Sequence, residues 1–268
     1  MPLKPADKRN LRGEINLRSF FEQDMKRAFL NIGFFTAVIC LLAIFIHAIQ
    51  ININFEGSPS TYEIISVAMS LSGFSPFAAV FPVLAYSVSF CEEYCSGYLK
   101  MITVRTKWKC YGWIRIITTG LSGGTIIALP FTVVCAIGYL FGVHGVGGLK
   151  EGGLYYGTRM WYYLEQYGDW YILVGKVILG FLFGFLWALV GMAFAVWSCN
   201  RYVALIAPFI LYEIMWITFY NIPFLNPIFL FKGDNLQSYI VSGLMETMYI
   251  MITIGVIWLG LRKRVHYE

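Results

Sequence analysis

The sequence predicts an all-α integral membrane protein of six transmembrane helices with an N-terminal amphipathic interfacial helix. Hydrophobic residues make up 58% of the 268 residues and charged residues only 13%, whereas a soluble domain carries about 25% charge. The apolar residues also cluster in runs of roughly 20, the length that crosses a bilayer as a helix. Because lipid offers the backbone no hydrogen-bond partner, these runs are expected to be helical.

Residues 1–28 are polar and basic, and we expect a cytoplasmic tail that contains an amphipathic connecting helix. Apolar side chains recur at helical spacing from Phe20 through Met25 to Phe29, and charged side chains take the opposite face. Such a helix suits the membrane interface; a plain cytoplasmic extension of the first span is the alternative. The tail is too long and too acidic for a signal-peptide n-region, so the first apolar run is expected to remain in the mature chain.

Residues 29–268 are predicted to form one six-span membrane domain. The spans are placed at residues 29–50, 64–91, 113–142, 170–197, 202–220 and 239–261. Gly73, Pro76 and Pro82 lie in the second span and predict a kink or a break there. Four residues separate the fourth span from the fifth, which predicts an antiparallel hairpin, and the prolines of residues 221–238 predict a loop that dips back toward the membrane.

The distribution of basic residues predicts the orientation. Sixteen of the twenty Lys and Arg residues fall in the N-terminal tail, the link after span two, the turn after span four and the C-terminal tail. Only Lys150, Arg159 and Lys232 lie on the other side. Since cytoplasmic loops are enriched in Lys and Arg, both termini are predicted to be cytoplasmic. The aromatic loop 143–169 is then extracytoplasmic, either as an interfacial belt or as a gate for substrate.

The chain lacks the motifs of several catalytic classes. It has no Walker A pattern, so we expect no ATP site of its own, and its three histidines form no zinc motif. We predict no catalytic residue, no metal site and no nucleic-acid partner. Ser122 lies in a Gly-x-Ser-x-Gly pattern without a histidine base placed beside it. The glycine pairs Gly120/Gly124 and Gly180/Gly184 instead favour close helix packing.

Charged residues inside predicted spans are rare and usually face the bundle interior or water. Glu213 lies near the centre of span five and is interpreted either as a group on a transport path or as a protonated acid that only tethers helices. Serines along span two, including Ser70, allow the same two interpretations. Glu246 is placed where interfacial water could reach it, and Lys176 where it could extend outward. Neither is assigned a role.

The link 92–112 between spans two and three mixes acids, bases, a glycine and apolar residues, which a bare solvated loop does not need. An acidic pair, a glycine, an apolar stretch and a basic Arg-x-Lys segment follow one another, and this order resembles the ABC-2 type exporter permeases. The residues are Glu92, Glu93, Gly97, Lys100, Arg105 and Lys107. The tail helix, the turn at Asn200 and Arg201 and the basic ending are similar to the same family over nearly the whole chain.

The resemblance implies the membrane subunit of an ATP-binding-cassette exporter in a bacterial plasma membrane. Two permease chains, identical or paralogous, would pair with soluble ATPase subunits that bind ATP and Mg, and the link would be the coupling helix seated on the ATPase. Spans two and five would flank the path of a peptide, drug or lipid-like substrate. Its residues would be Ser70, Phe74, Phe77, Tyr212, Glu213 and Trp216. A self-contained secondary transporter or channel is the alternative, and a membrane-embedded enzyme is the least favoured.

Overall fold

The computed structural model describes residues 18–54, 58–99, 101, 108–145, 159–233 and 239–267. Apart from one β-bridge between Ser60 and Val143, the regular elements of these residues are helices. Besides the helical residues 98, 99 and 101, they are α1 (18–29), α2 (Ile32–Asn52), α3 (Thr61–Ser70), α4 (Phe74–Phe77), α5 (Val80–Tyr86), α6 (Ser89–Cys95), α7 (Trp108–Phe141), α8 (Arg159–Tyr167), α9 (Asp169–Ser198), α10 (Arg201–Thr218), α11 (Pro227–Lys232) and α12 (Tyr239–Tyr267).

Five helices are long and apolar enough to cross a membrane, namely α2, α7, α9, α10 and α12. They coincide with the first, third, fourth, fifth and sixth predicted spans. The predicted helical fold is therefore confirmed for these five elements, which are candidate membrane spans by length and composition.

The predicted second span, residues 64–91, is divided among the short helices α3 to α6. None of these short helices is long enough to be counted among the five candidate spans, and the predicted break is confirmed. Gly73 adopts a left-handed φ of 70° between α3 and α4, which side chains with a Cβ rarely tolerate. Pro76 and Pro82 each lie in the first turn of a short helix, where their missing N–H costs no intrahelical bond. The sequence thus interrupts the helix and restarts it.

The bundle is centred on the close crossing of α7 and α9. A Cβ atom on Gly123 would lie 2.3 Å from the Cβ of Ala188 and 2.8 Å from the carbonyl oxygen of Gly184, so the backbones approach as only small residues permit. Ser122 is buried in this contact and donates a hydrogen bond to the carbonyl of Thr119 at 3.0 Å. Of the predicted packing glycines, Gly120 and Gly124 lie against Phe185 and Phe181 of α9, with 2.3 and 2.7 Å from an added Cβ to the ring, and Gly184 lies against the backbone of Gly123.

One end of the bundle carries the loop predicted to be extracytoplasmic. The backbone N–H of Val143 donates to the carbonyl of Pro59 at 2.9 Å, and the N–H of Thr61 donates back to Val143 at 3.2 Å. His144 lies 3.1 Å from the carboxylate of Asp169. A series of tyrosine rings 5.1–5.4 Å apart continues this end and comprises Tyr163, Tyr167, Tyr171 and Tyr239. These contacts fasten α3, α7 and α9 to one another; residues 146–158 of the loop lie outside the described ranges.

Basic residues gather at the opposite end. Arg264, near the end of α12, donates to the carbonyl of Trp197 at 3.0 Å, and its guanidinium lies 5.4 Å from the ring centroid of Tyr94 on α6. Arg201 starts α10 directly after the end of α9. Helix ends with cationic side chains therefore meet at one end of the bundle, which is the arrangement that the predicted orientation requires.

The turn between α9 and α10 is as tight as the sequence predicts. Cys199 ends α9 with a left-handed φ of 50°, and the side chain of Asn200 accepts a hydrogen bond from the N–H of Tyr202 at 2.9 Å. This Asn cap satisfies a free donor at the start of α10. The two helices form the expected antiparallel hairpin.

The chain after α10 folds back into the bundle as the buried helix α11. Asn226 caps its start, accepting from the N–H of Ile228 at 3.1 Å. At its end, the ammonium of Lys176 donates to the carbonyl of Lys232 and lies 5.5 Å from the ring centroid of Tyr239. Lys176 is therefore buried instead of extending outward, because a cation is stabilised by the free carbonyls at a helix end.

Candidate functional site

Three charged side chains from three separate elements meet inside the basic end of the bundle. Arg115 of α7 lies with its Nη1 atom 3.0 Å from a carboxylate oxygen of Asp24 on α1. Its Nη2 atom pairs with the carboxylate of Glu93 on α6. The side chains of Arg115 and Asp24 are each 1% exposed. We call this group, with its hydroxyl partners below, the Arg115 cluster.

The amphipathic pattern of α1 brings Asp24 into the cluster. Residues 20, 24 and 28 are spaced four apart and share one face of the helix, and that face is turned toward the bundle. Ala28 is fully buried, and the ring of Phe20 lies 6.0 Å from that of Tyr111 on α7. The helix predicted from the sequence is present over the described residues 18–29, and its apolar face packs on other helices of the same chain.

Hydroxyl groups complete the cluster. Tyr111 donates to the carboxylate of Glu93 at 2.8 Å, and Tyr86 donates to Asp24 while it accepts from Arg115. Arg115 also donates to the hydroxyl of Ser89 at 3.2 Å. Charge-assisted hydrogen bonds of this kind fix both the distance and the direction of their partners. The cluster therefore holds α1, α5, α6 and α7 in one relative arrangement.

The charges of the cluster are nearly balanced. Arg27 lies 3.4 Å from Glu93 and supplies a second positive charge, but its side chain is 54% exposed. Burial raises the pKa of Asp24 above its ordinary value, although the neighbouring Arg115 charge opposes the rise. Such a pair contributes little net stability, yet removing one member leaves a buried charge uncompensated. Its clearest contribution is to geometry.

The residues predicted to contact an ATPase divide into two groups. Glu92 is exposed in the first turn of α6, and Gly97 turns the chain after this helix with a φ of 72°. Glu93 is buried in the Arg115 cluster. Its carboxylate faces α7, because Arg115 and Tyr111 of that helix both bind it. A polar cavity of about 320 Å³ beside the cluster is lined by Arg27, Glu92 and Glu93. Lys100, Arg105 and Lys107 lie outside the described residues.

The residues predicted to line a path are only partly brought together. Tyr212 of α10 is fully buried, and its hydroxyl donates to the carbonyl of Ser75 at 2.6 Å, which satisfies a backbone group near the break in span two. Phe77 is exposed and stacks on Phe209 of α10 with ring centroids 5.9 Å apart. The expected proximity of spans two and five is therefore present at these contacts.

The remaining path residues differ in exposure. Phe74 is buried among other aromatic rings of the core, which makes it a packing residue in this conformation, as is Tyr212. Ser70 is exposed at the end of α3, and Trp216 is half-buried beside Tyr212. Glu213 is half-buried, and one of its carboxylate oxygens has no hydrogen-bond partner among the described residues. The exposed and half-buried members are those that a path could use.

Within the described residues, no group of three His, Cys, Asp or Glu side chains could hold a metal ion. None of the six cysteines, all of which lie in the described ranges, forms a disulfide. Cys91 is buried and donates to the carbonyl of Ala195 on α9 at 3.6 Å, so it packs α6 against α9.

Asp24 and Arg115 belong to the candidate site, and the sequence analysis did not single them out. Arg115 was counted only among the basic residues of the link, and Asp24 was not considered. The sequence pattern that could have identified Asp24 is its position between Phe20 and Ala28 on an otherwise apolar face of the helix. A buried acid on such a face requires a cation from another element. No family model, curated protein or solved structure matches this chain.

Proposed function

We propose that this chain is the permease subunit of an ATP-binding-cassette exporter, which moves a peptide, drug or lipid-like substrate outward with ATP hydrolysed by a separate soluble subunit. The observation that carries the proposal is the Arg115 cluster. It joins α6, where the link begins, to α7, where the link ends, and it fixes α1 to both. A force applied to the link by a partner would therefore move three helices as one unit.

The break in span two would let that unit move relative to α3. α3 is fastened to the opposite end of the bundle through Thr61 and Val143, whereas α6 belongs to the Arg115 cluster. Between them the helical ladder is interrupted at Gly73, whose φ of 70° ends one helix and starts the next. Interrupted helices bend at such positions. Motion at the basic end can thus reach the middle of the bundle without unfastening the other end.

The surfaces of the chain leave room for the required partners. The exposed Glu92 and the adjoining polar cavity of about 320 Å³ offer the ATPase a polar contact beside the link. Only 17% of the apolar stretch of α10 and 22% of that of α12 are buried within the chain, which suits contact with the lipid bilayer and a second permease chain. The stacked pair Phe77 and Phe209 lies where spans two and five meet and would face the substrate path between two such chains.

Purification of the full-length chain from its native membranes in mild detergent tests the proposal. We expect a soluble ATPase with a Walker A motif to co-elute, and a maleimide cross-linker at the exposed Cys95 to capture it. Cys40, exposed on the apolar helix α2, is the matched control and should capture no ATPase.

The competing function is a self-contained secondary transporter or channel. Vesicles that contain the purified chain alone distinguish the two functions. Transport driven by an ion gradient without ATP or an added subunit would contradict the exporter proposal. So would the absence of any ATPase among the co-eluting chains when the permease itself is intact.

A further inference from the structure

A cavity of about 130 Å³ lies between α9, α10, α11 and α12, away from the Arg115 cluster. Its walls are almost entirely apolar and include Trp187, Leu211, Met215 and Tyr249. Drug-sized pockets are larger, about 300–1,000 Å³. The volume therefore suits a compact ligand with an apolar surface.

Glu246 of α12 is the charged exception in this wall. Its side chain is fully buried, and neither carboxylate oxygen has a hydrogen-bond partner among the described residues. This corrects the expectation that interfacial water reaches it. The indole N–H of Trp187, in the same wall, is also buried without a partner there. Nearly all buried polar groups in proteins have a hydrogen-bond partner. Two buried polar groups without one in the wall of the same cavity therefore indicate a ligand site.

The donor set distinguishes among ligands. Mg²⁺ and Ca²⁺ require about six oxygen ligands, and this cavity offers one carboxylate among apolar side chains. A small organic ammonium ion has different needs, because a single carboxylate balances its charge and aromatic rings attract its cationic surface. Trp187 and Tyr249 supply such rings, and the free indole N–H can donate to an oxygen carried by the ligand.

We propose that this cavity is a binding site for a small monovalent organic ammonium ion, with Glu246 as its counter-ion. The site goes beyond the exporter function and does not depend on it, since it lies within a single chain. In the empty cavity an unpaired carboxylate would be costly, so Glu246 holds a proton. The incoming ammonium takes the place of that proton, and one proton is released for each cation bound. Tyr249, whose hydroxyl donates to the carbonyl of Phe224 at 3.2 Å, is the other titratable side chain among the described lining residues.

Calorimetry on the purified chain tests the site, with choline as the probe and 3,3-dimethylbutan-1-ol as its uncharged isostere. We expect choline to bind at least about tenfold more tightly than the isostere. Titrations in buffers of different ionisation enthalpy should give one proton released per choline. Glu246→Gln should weaken choline about tenfold or more, abolish the proton release and leave the weak binding of the isostere unchanged.

Two further variants keep the test decisive. Glu63→Gln removes the same charge from an exposed position on α3 and should bind choline as the wild type does. Leu211→Trp fills the cavity without changing a charge and should abolish binding of both probes. This variant tests the site even if Glu246→Gln does not fold. Equal affinity for choline and the isostere, binding without proton release, or choline binding unaffected by Leu211→Trp would overturn the proposal.

Discussion

Replacing Arg115 by Met is the most direct test of the Arg115 cluster. The variant leaves the carboxylates of Asp24 and Glu93 buried without the guanidinium that both contact. Breaking a buried ion pair by removing one partner costs about 3–5 kcal/mol of unfolding free energy. Arg27 still reaches Glu93 at 3.4 Å, and Asp24 can take up a proton. We therefore expect a cost near the lower limit, about 3 kcal/mol.

The expected shift in melting temperature follows from the length of the chain. For large domains each kcal/mol corresponds to about 2–4 °C, so Arg115→Met should lower the apparent Tm by about 6–12 °C. The measurement is the loss of the monodisperse peak in size-exclusion chromatography of the detergent-purified chain after heating. The triple variant Asp24→Asn, Glu93→Gln, Arg115→Met should recover most of the loss, because it leaves no uncompensated charge.

Arg27→Met is the matched control. It removes the same type of side chain from the same carboxylate, Glu93, but from a position that is 54% exposed. Exposed ion pairs contribute about 0–1 kcal/mol, so the Tm should change by less than about 4 °C. Equal losses for Arg27→Met and Arg115→Met, or no recovery in the triple variant, would refute the view that burial makes the cluster a rigid joint.

Three further predictions concern packing, charge and orientation. Gly123→Ala should cost about 1–3 kcal/mol by overpacking and lower the Tm in the same assay, whereas Gly255→Ala, which meets no atom within 4 Å, should not. Lys176→Met should also lower the Tm, because the carbonyl that ends α11 loses its cation; an unchanged Tm would show that this bond is dispensable. In single-cysteine variants, a membrane-impermeant maleimide should label Cys95 in inside-out vesicles and not in intact cells, and labelling in intact cells would contradict the orientation.

The sequence carried most of the information about the helices. Runs of apolar residues located five spans within a few residues, and Gly73 with the two prolines located the break in the second span. These features are local, because a glycine torsion or a proline without an N–H affects the backbone at its own position. The tight turn at Asn200 was predicted for the same reason. Boundaries between the short helices α3 to α6 were not predicted, since they depend on what packs against them.

The candidate site was predicted less well, because its members are distant in sequence. Glu93 was identified as part of an acidic pair, but its burial depends on Arg115, which only the fold places beside it. Phe74 and Tyr212, which the resemblance implies for a path, are buried in the core. A membrane helix can present aromatic side chains to the packed core or to a path, and composition does not distinguish these two positions. Glu246 was recognised as unusual, yet its cavity is formed by four helices together.

The ion pair between Asp24 and Arg115 also has a consequence for biogenesis. Asp24 is translated well before Arg115, and at about 5–20 residues per second the interval is on the order of ten seconds. Until Arg115 has been synthesised, the carboxylate of Asp24 lacks the cation with which it pairs in the folded chain. The ion pair that fixes α1 to α7 therefore forms only after the start of α7 has been made.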